Sequence, residues 1–496
     1  MIPLSIFTVE LLSGNLLLLC SILIFIAILV TKLGSRFGVP SLLLFLLLGM
    51  AAGSDGLGLK FAEYEVAESI GHFAMTVILL TAGLETSLKE TKPVLRQGVV
   101  LSTLGVLLTV VLTGFFIFMV LGKTLGLSIL GCLLLAAVMG STDSASVFSI
   151  LRGKKMKLRE NLAPMLELES GSNDPMAYTL TIILVKMLSN EGLMYYSGWE
   201  LVVSAFLVLL LQIAVGIAVG FAVGYAAKWV LDHVRLPGFA LTAILILSVG
   251  FFSNGLASLL KGNGLLALYI AAIIIGNKAK LPQRKDILTF MDGLTWLMQL
   301  VMFLVLGLLA RPSQMLPVLI PAILIGLFMM FVARPLSVFT CLLPFRSQSA
   351  RAKLLTSWVG LKGAGPILFA LFPVVSGLES GNQMFNIVFI ITLFSLTMQG
   401  TTLGSFAKLL RLCYAETPKV ETFGLEIPEE MGLLRDHVVT EEDLLEGETL
   451  RDMHLPHGIS VMMVRRDGKF LVPHGGMPLK VGDNLVIIMG DSDDDD

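Results

Sequence analysis

Apolar runs long enough to cross about 30 Å of hydrocarbon recur from roughly residue 12 to residue 406, and this repetition restricts the fold more than any other feature. Lipid offers no partners for backbone N–H and C=O groups, so such runs must be helices whose hydrogen bonds close internally. Of the 496 residues, 55% are apolar and 15% charged, and the mean hydropathy is +0.86, which marks an all-α polytopic membrane protein. The first run, about Leu12 to Thr31, has no basic residue before it and no clear cleavage site. It is also too long for a signal-peptide core, so it reads as a spanning helix. Cys20, Cys132, Cys341 and Cys413 show no CxxC spacing, which argues against a disulfide framework or a zinc site. A net charge of -2 speaks against a nucleic-acid partner.

About thirteen spans are expected, near 12–32, 39–53, 66–84, 95–121, 126–151, 162–187, 199–228, 238–257, 263–277, 290–310, 313–341, 354–373 and 384–406. Every second loop is basic. One set carries Lys32 and Arg36; Lys89, Lys92 and Arg96; Arg152, Lys154, Lys155, Lys157 and Arg159; Lys228 and Arg235; Lys278, Lys280, Arg284 and Lys285; and Arg346, Arg351 and Lys353. The alternate loops hold Lys60, Lys123, Lys261 and Arg311. Basic loops stay cytoplasmic, so the N-terminus is expected outside and the C-terminus inside.

Two of these spans are interrupted. Gly140-Ser-Thr-Asp-Ser-Ala-Ser146 breaks the fifth, and Gly360-Leu-Lys-Gly-Ala-Gly-Pro366 breaks the twelfth. They lie an odd number of spans apart and so run in opposite directions, the pattern of an inverted repeat whose broken helices meet at the midplane. Asp143 and Lys362 stand at the two breaks, where each can offset the partial charge of a freed helix end. The plainer alternative is that the glycines only let helices pack.

A second polar stretch, Glu169-Ser-Gly-Ser-Asn-Asp-Pro175, opens into the apolar run Met176–Val185. A carboxylate at the centre of a bilayer costs about 2.5–3.5 kcal/mol on insertion scales, so its presence calls for a purpose. At helical spacing Ser170, Asn173 and Asp174 share one face. Pro175 lacks a backbone donor and leaves a carbonyl free nearby. Carboxylate, hydroxyl and carbonyl oxygens suit an alkali cation, and the same carboxylate can hold a proton instead. Asp174 is therefore the expected ion carrier, with Asn173, Ser170, Thr142 and Asp143 beside it. Glu169, one turn away, needs a counter-charge, and Arg334 in Phe331-Val-Ala-Arg-Pro335 is the expected partner. The rival for Arg334 is snorkelling to the inner surface.

Lesser candidates have plainer readings. Glu85 with Lys89 reads as an interfacial i,i+4 pair, the alternative being a guard at a cytoplasmic entrance, and His72 reads as a packed polar residue. Asn254 and Asn263 read as turn formers. Gly216, Gly220 and Gly224 repeat a GxxxG spacing that permits close helix approach, either within the chain or between two copies.

Glu169-Ser-x-x-Asn-Asp-Pro175 resembles the ion-site motif of the monovalent cation:proton antiporters in the sodium/proton exchanger superfamily. Thr142-Asp143, Arg334-Pro335 and Gly360-Leu-Lys-Gly363 resemble the motifs expected around it, in the expected order. The resemblance covers about residues 10–410 and is greatest to bacterial potassium/proton antiporters of the cell-volume-regulation type. It implies an inner-membrane homodimer, two crossed broken helices, elevator-like alternating access and one-for-one electroneutral exchange. One departure is that relatives often carry Thr-Asp-Pro where this chain has Thr142-Asp-Ser144.

Residues 1–410 are thus expected to form the membrane domain, and 411–496 a cytosolic linker and a small α+β lobe. Strands are expected at Ile459–Arg465, Lys469–Val472 and Asn484–Met489, with turns at Asp467-Gly468 and His474-Gly-Gly476. The stretch from Glu446 to Ile488 resembles the C-terminal regulatory lobe of potassium-uptake and potassium-channel regulatory proteins. That implies dimerisation and a small regulatory ligand such as a nucleotide, and no required cofactor; a passive dimerisation module is the alternative. The nearest rival function is sodium/proton exchange, because one carboxylate with hydroxyls does not select ion size. A ligand-gated potassium channel is disfavoured by the lack of a Thr-Val-Gly-Tyr-Gly-like filter. An enzyme is disfavoured by the lack of nucleophile–base or metal-ligand spacing in the tail and loops.

Overall fold

The computed structural model describes residues 16–37, 40–59, 61, 63–153, 156–189, 199–234, 236–345 and 348–415, and in the C-terminal part 434–440, 442–444, 447, 449–453, 459–466 and 469–489. The chain divides into two compact units, residues 1–415 and 416–496.

In the first unit the helices are α1 Leu16–Phe37, α2 Ser41–Ala52, α3 Tyr64–Glu85, α4 Leu88–Leu125, α5 Ile129–Val138 and α6 Ser144–Gly153. After the short strand β1 (Met156–Leu158) come α7 Leu162–Leu188, α8 Trp199–His233, α9 Phe239–Leu259, α10 Gly264–Lys278 and α11 Arg284–Leu309. The series ends with α12 Pro312–Cys341, α13 Ala350–Trp358, α14 Ala364–Val375 and α15 Gly381–Leu409. Among the described residues, seven helices (α3, α4, α8, α9, α11, α12 and α15) are long and apolar enough to cross a bilayer. The fifth expected span is two helices, α5 and α6, and the twelfth is α13 and α14. At 27 residues α7 is long enough to span, but Glu167, Glu169, Asp174 and Lys186 make it more polar than its neighbours.

Small residues set the closest packing. A Cβ added at Gly220 would lie 2.7 Å from the Ala267 carbonyl, and one at Gly224 would lie 3.0 Å from Ala271 Cα. The GxxxG face of α8 therefore packs against α10 of the same chain. Elsewhere α8 exposes Phe206, Leu210, Leu211 and Phe221, a surface suited to lipid.

Of the two asparagines expected in turns, one lies inside a helix and the other does more than cap one. Asn254 sits inside α9 and donates from Nδ2 to Thr76 Oγ1 of α3 at 3.0 Å. Asn263 does cap α10, accepting from Leu266 N at 2.8 Å, but its Nδ2 also donates to Pro175 O (2.7 Å) and Thr179 Oγ1 (2.6 Å) on α7. A proline inside α7 would otherwise weaken the helix, and this clamp supports the turn around it. Pro335 has the same defect in α12, having no N–H for Phe331, and the preceding turn Met329–Ala333 is π-helical.

After α15 the strand β2 (Cys413–Ala415) pairs antiparallel with β1, Met156 opposite Ala415 and Leu158 opposite Cys413. Residues beyond 410 thus belong to the first unit as far as Ala415.

In the second unit β3 (Leu434–Val438), β4 (Ile459–Arg466), β5 (Lys469–Leu471) and β6 (Asn484–Met489) form an antiparallel sheet in the order β3-β6-β4-β5. Val439, Val464, Met477, Leu479, Leu485 and Ile487 make its core. Arg466 donates to both Asp483 oxygens, Nε to Oδ1 at 2.8 Å and a terminal nitrogen to Oδ2 at 2.6 Å, and these bonds hold the Asp483 carboxyl below the usual range. Strand β3 was not expected, because the segment around it reads as acidic and mixed. The expected turn at Asp467-Gly468 lies outside the described residues. Among the described residues this unit has one 3₁₀ turn, Glu442–Leu444, and no α-helix.

One ion pair ties the two Pro-disturbed helices together. Arg334 of α12 donates from a terminal nitrogen to Glu169 Oε1 of α7, with both side chains buried. Among the described residues, Glu169 Oε2 and Arg334 Nε have no hydrogen-bond partner. Removing one partner from a buried pair typically costs about 3–5 kcal/mol, because the other charge is stranded, whereas an apolar or neutral replacement of both is often tolerated. Glu169→Gln and Arg334→Met should each lower the thermal stability of the purified protein more than the double variant does. Additive losses in melting temperature would show that the two residues act independently.

Candidate functional site

The two helix interruptions meet. In the first, Met139–Asp143 joins α5 to α6; in the second, Val359–Gly363 joins α13 to α14. The backbone N–H of Asp143 donates to Leu361 O at 2.9 Å, bonding one interruption directly to the other. Lys362 adds a second link, donating from Nζ to Ser141 O at 2.9 Å while its backbone N–H donates to Ser395 Oγ of α15 at 3.0 Å. Ser395 donates in turn to Gln399 Oε1 (2.6 Å), and Gln399 Nε2 donates to Trp358 O (2.9 Å), which closes the end of α13. Lys362 is buried, and the carbonyl it takes is one that the broken helix left without an internal partner.

Asp143 directly precedes the restarted helix α6. Its Oδ1 accepts from Ser146 N at 3.0 Å and its Oδ2 accepts from Ser146 Oγ at 2.5 Å, so the carboxylate satisfies a free N–H at the positive end of α6.

Helix α7 is locked onto the same interruption by its polar face. Asn173 spends both ends of its amide on Thr142: Nδ2 donates to Thr142 Oγ1 at 2.5 Å and Oδ1 accepts from Thr142 N at 3.4 Å. Ser170 Oγ donates to Thr142 O at 2.7 Å and accepts from Ser144 N at 3.1 Å. Ser170, Asn173 and Thr142 are therefore brought together as one hydrogen-bonded lock.

Asp174 differs from these. Its Oδ1 accepts from Ser141 Oγ, and it borders a cavity of about 80 Å³ together with Asp143, Ser141, Ser144, Ala364 and Gln299. That is room for several waters or a partly hydrated small cation. The start of α14 lies beside it: a Cβ added at Gly365 would sit 2.9 Å from Ser141 Oγ and 3.8 Å from Asp174 Oδ1. The absence of a side chain there lets the positive end of α14 approach the carboxylate. Glu169 and Arg334 lie behind this group as the buried pair described above.

All eight residues singled out from sequence thus lie in one connected region, with different tasks. Ser141, Ser395, Gln399 and Asn263 were not singled out for it. Ser141 sits next to Thr142 in a stretch already marked as polar, so a signal for it existed. The other three act across long sequence separations, for which the sequence carries no local sign.

Residues 21–409 match the family model described as sodium/hydrogen exchanger, transmembrane, and residues 434–494 match the TrkA-C domain. The chain is 36% identical over 475 residues to the K(+)/H(+) antiporter NhaP2 of Shewanella oneidensis, covering 95% of this chain and 80% of that protein. It is also 36% identical over 479 residues to the K(+)/H(+) antiporter NhaP of Alkalimonas amylolytica, with the same coverage. The solved structure of the sodium proton antiporter MjNhaP1 from Methanocaldococcus jannaschii superposes with a TM-score of 0.66 at 24% identity, over 82% of this chain and 99% of that one, and shares its fold. The chain is a member of the sodium/hydrogen exchanger family.

Proposed function

We propose that this protein exchanges a monovalent cation, most suitably K⁺, for a proton, and that both compete for Asp174. The observation that carries the reading is Asp174 on the wall of a cavity, beside the meeting point of two helix interruptions. Potassium is favoured over sodium because the relatives named above, at 36% identity over 95% of the chain, are called K(+)/H(+) antiporters. Sodium remains the second reading, supported by a 25% identical relative called a probable Na(+)/H(+) antiporter.

The charges around the site support one-for-one exchange. Asp143, Glu169 and Asp174 oppose Arg334 and Lys362, so the ionised cluster carries one net negative charge. One K⁺ or one proton neutralises it, and the two loaded forms have equal charge. Asn173, Ser170 and Thr142 shape the site as ligands or as its frame, and Asp143 and Lys362 balance the interrupted helix ends. On this reading the membrane unit has about thirteen spans in inverted repeats around the two interruptions. It works as an elevator in a homodimer of the inner membrane, with its N-terminus outside and its C-terminus in the cytoplasm.

The C-terminal unit is read as regulatory. It supplies none of the carboxylates at the ion site, and a small ligand such as a nucleotide bound there can bias transport only by binding one conformation more tightly than another.

Asp174→Asn should abolish K⁺-driven proton movement and proton-driven K⁺ movement in proteoliposomes, with the protein still folded. Retention of more than a few per cent of exchange would sink the single-site mechanism. In the same liposomes an imposed membrane potential should leave the exchange rate of the unsubstituted protein unchanged. A steep voltage dependence would demand a second titrating group, with Asp143 first in line. Deleting residues beyond about Glu416 should preserve exchange and shift its set-point for pH or K⁺. A stable truncated protein that transports nothing would make the C-terminal unit an obligatory part of the mechanism.

A further inference from the structure

We propose that Gln299 of α11 is a cation ligand on the wall opposite Asp174, giving the cavity a neutral oxygen that K⁺ uses and a proton does not. The inference rests on the reading of Asp174 as the ion carrier and adds a residue that sets how cation and proton compete there.

The cavity has two unlike walls. One carries Asp174 and Ser170 of α7 with the polar residues of the first interruption. The other is built by α3 and α11, where Met75, Ile78, Leu79, Ala82, Met302 and Phe303 are apolar. Among the described residues, Gln299 is the polar side chain of that second wall. Helical spacing sets Thr295, Gln299 and Met302 on one stripe of α11. Thr295 Oγ1 lies 2.9 Å from Thr81 Oγ1 of α3, which turns the stripe toward α3 and the cavity.

Gln299 is 8% exposed, and among the described residues no hydrogen bond from protein engages its amide. Other buried amides near the site are committed: Asn173 spends both ends on Thr142, Asn263 on Leu266 and α7, and Gln399 on Ser395 and Trp358. An amide set in an apolar wall is costly unless something bonds to it, and what Gln299 meets is the cavity. A round volume of about 80 Å³ is about 5 Å across, so an ion resting on Asp174 also reaches the opposite wall. A cation that sheds water needs several oxygens in its place, and carbonyl dipoles can supply them. A proton needs one oxygen, which Asp174 already provides. The amide carries no charge, so its oxygen helps the cation without disturbing the balance of one negative charge in the site.

The test is the apparent KM for K⁺ of the full-length protein in proteoliposomes with a pH dye, at about pH 7 and about pH 9. Gln299→Leu should raise that KM about tenfold or more, with the maximal rate within about threefold of the parent. The factor should be the same at both pH values, because the proton's own affinity for Asp174 is untouched. Gln299→Glu, which keeps an oxygen at the same reach, should show a KM no more than about threefold above the parent. A Gln299→Leu protein that matches the parent overturns the proposal and leaves Gln299 a packing residue. A rise at one pH and not the other also overturns it, since the substitution would then act by changing how Asp174 holds its proton. A Gln299→Glu protein as impaired as Gln299→Leu overturns it too, because the oxygen alone would not suffice. Gln299→Met, similar in volume and equally without an amide, is measured alongside, so that a folding failure of Gln299→Leu leaves the same comparison to decide. Asp174→Asn separates the two readings. If it still exchanges, the carrier reading fails whatever Gln299 does; if it is inactive while Gln299→Leu matches the parent, the ligand role alone fails.

Discussion

The backbone hydrogen bond from Asp143 to Leu361 holds the two helix interruptions against each other, and the rest of the site depends on that contact. An interrupted helix inside a membrane leaves N–H and C=O groups that lipid cannot satisfy, at a cost of several kcal/mol each if left bare. Here each interruption answers part of the other's need. Lys362 takes the Ser141 carbonyl, Asp143 takes the Ser146 N–H, and Ser170 and Asn173 of α7 satisfy Thr142 and Ser144. What remains is a small cavity in an apolar unit, with the carboxylates of Asp174 and Asp143 on its wall. Site and fold are stabilised by the same hydrogen bonds.

Buried charge is sorted by whether it has a fixed partner. Glu169 and Arg334 neutralise each other deep between α7 and α12, and neither faces the cavity at Asp174. Asp143 is committed to the end of α6. Asp174 instead has one hydroxyl donor and an open cavity, so its charge can be met by something that comes and goes. The distinction is geometric. Three carboxylates of like chemistry within a short stretch of sequence acquire different roles because one meets a guanidinium, one meets a helix N-terminus and one meets space.

Much of this is legible in residue types. Polar residues in a spanning segment stand out against the expense of placing them there, and a buried acid needs a buried base, for which Arg334 is the obvious choice. The glycine-rich stretches at 140–146 and 360–366 mark where helices cannot continue. The partners of these groups are much less legible. Nothing near Asn263 indicates that it clamps Pro175, nearly ninety residues away. Cys413–Ala415 is too short and irregular to show a strand pattern, and it pairs only because Met156–Leu158 is brought beside it. GxxxG spacing reveals that something packs closely on α8, but only the arrangement of helices says that the something is α10. Local chemistry marks the positions, and long-range contacts assign their work.

His72 shows how far that division reaches. Alone in an apolar helix, a histidine is best read as a packed polar residue, because nothing in its own segment gives its titration a consequence. The fold supplies Tyr178 from a helix a hundred residues away, along with Phe369 and Phe372 from a helix later still. His72 then packs beside the Tyr178 ring, so the fold gives the imidazole neighbours that its own segment does not show. Local sequence marks a polar residue in an apolar helix, and the contacts that explain how it is accommodated come from elements far along the chain.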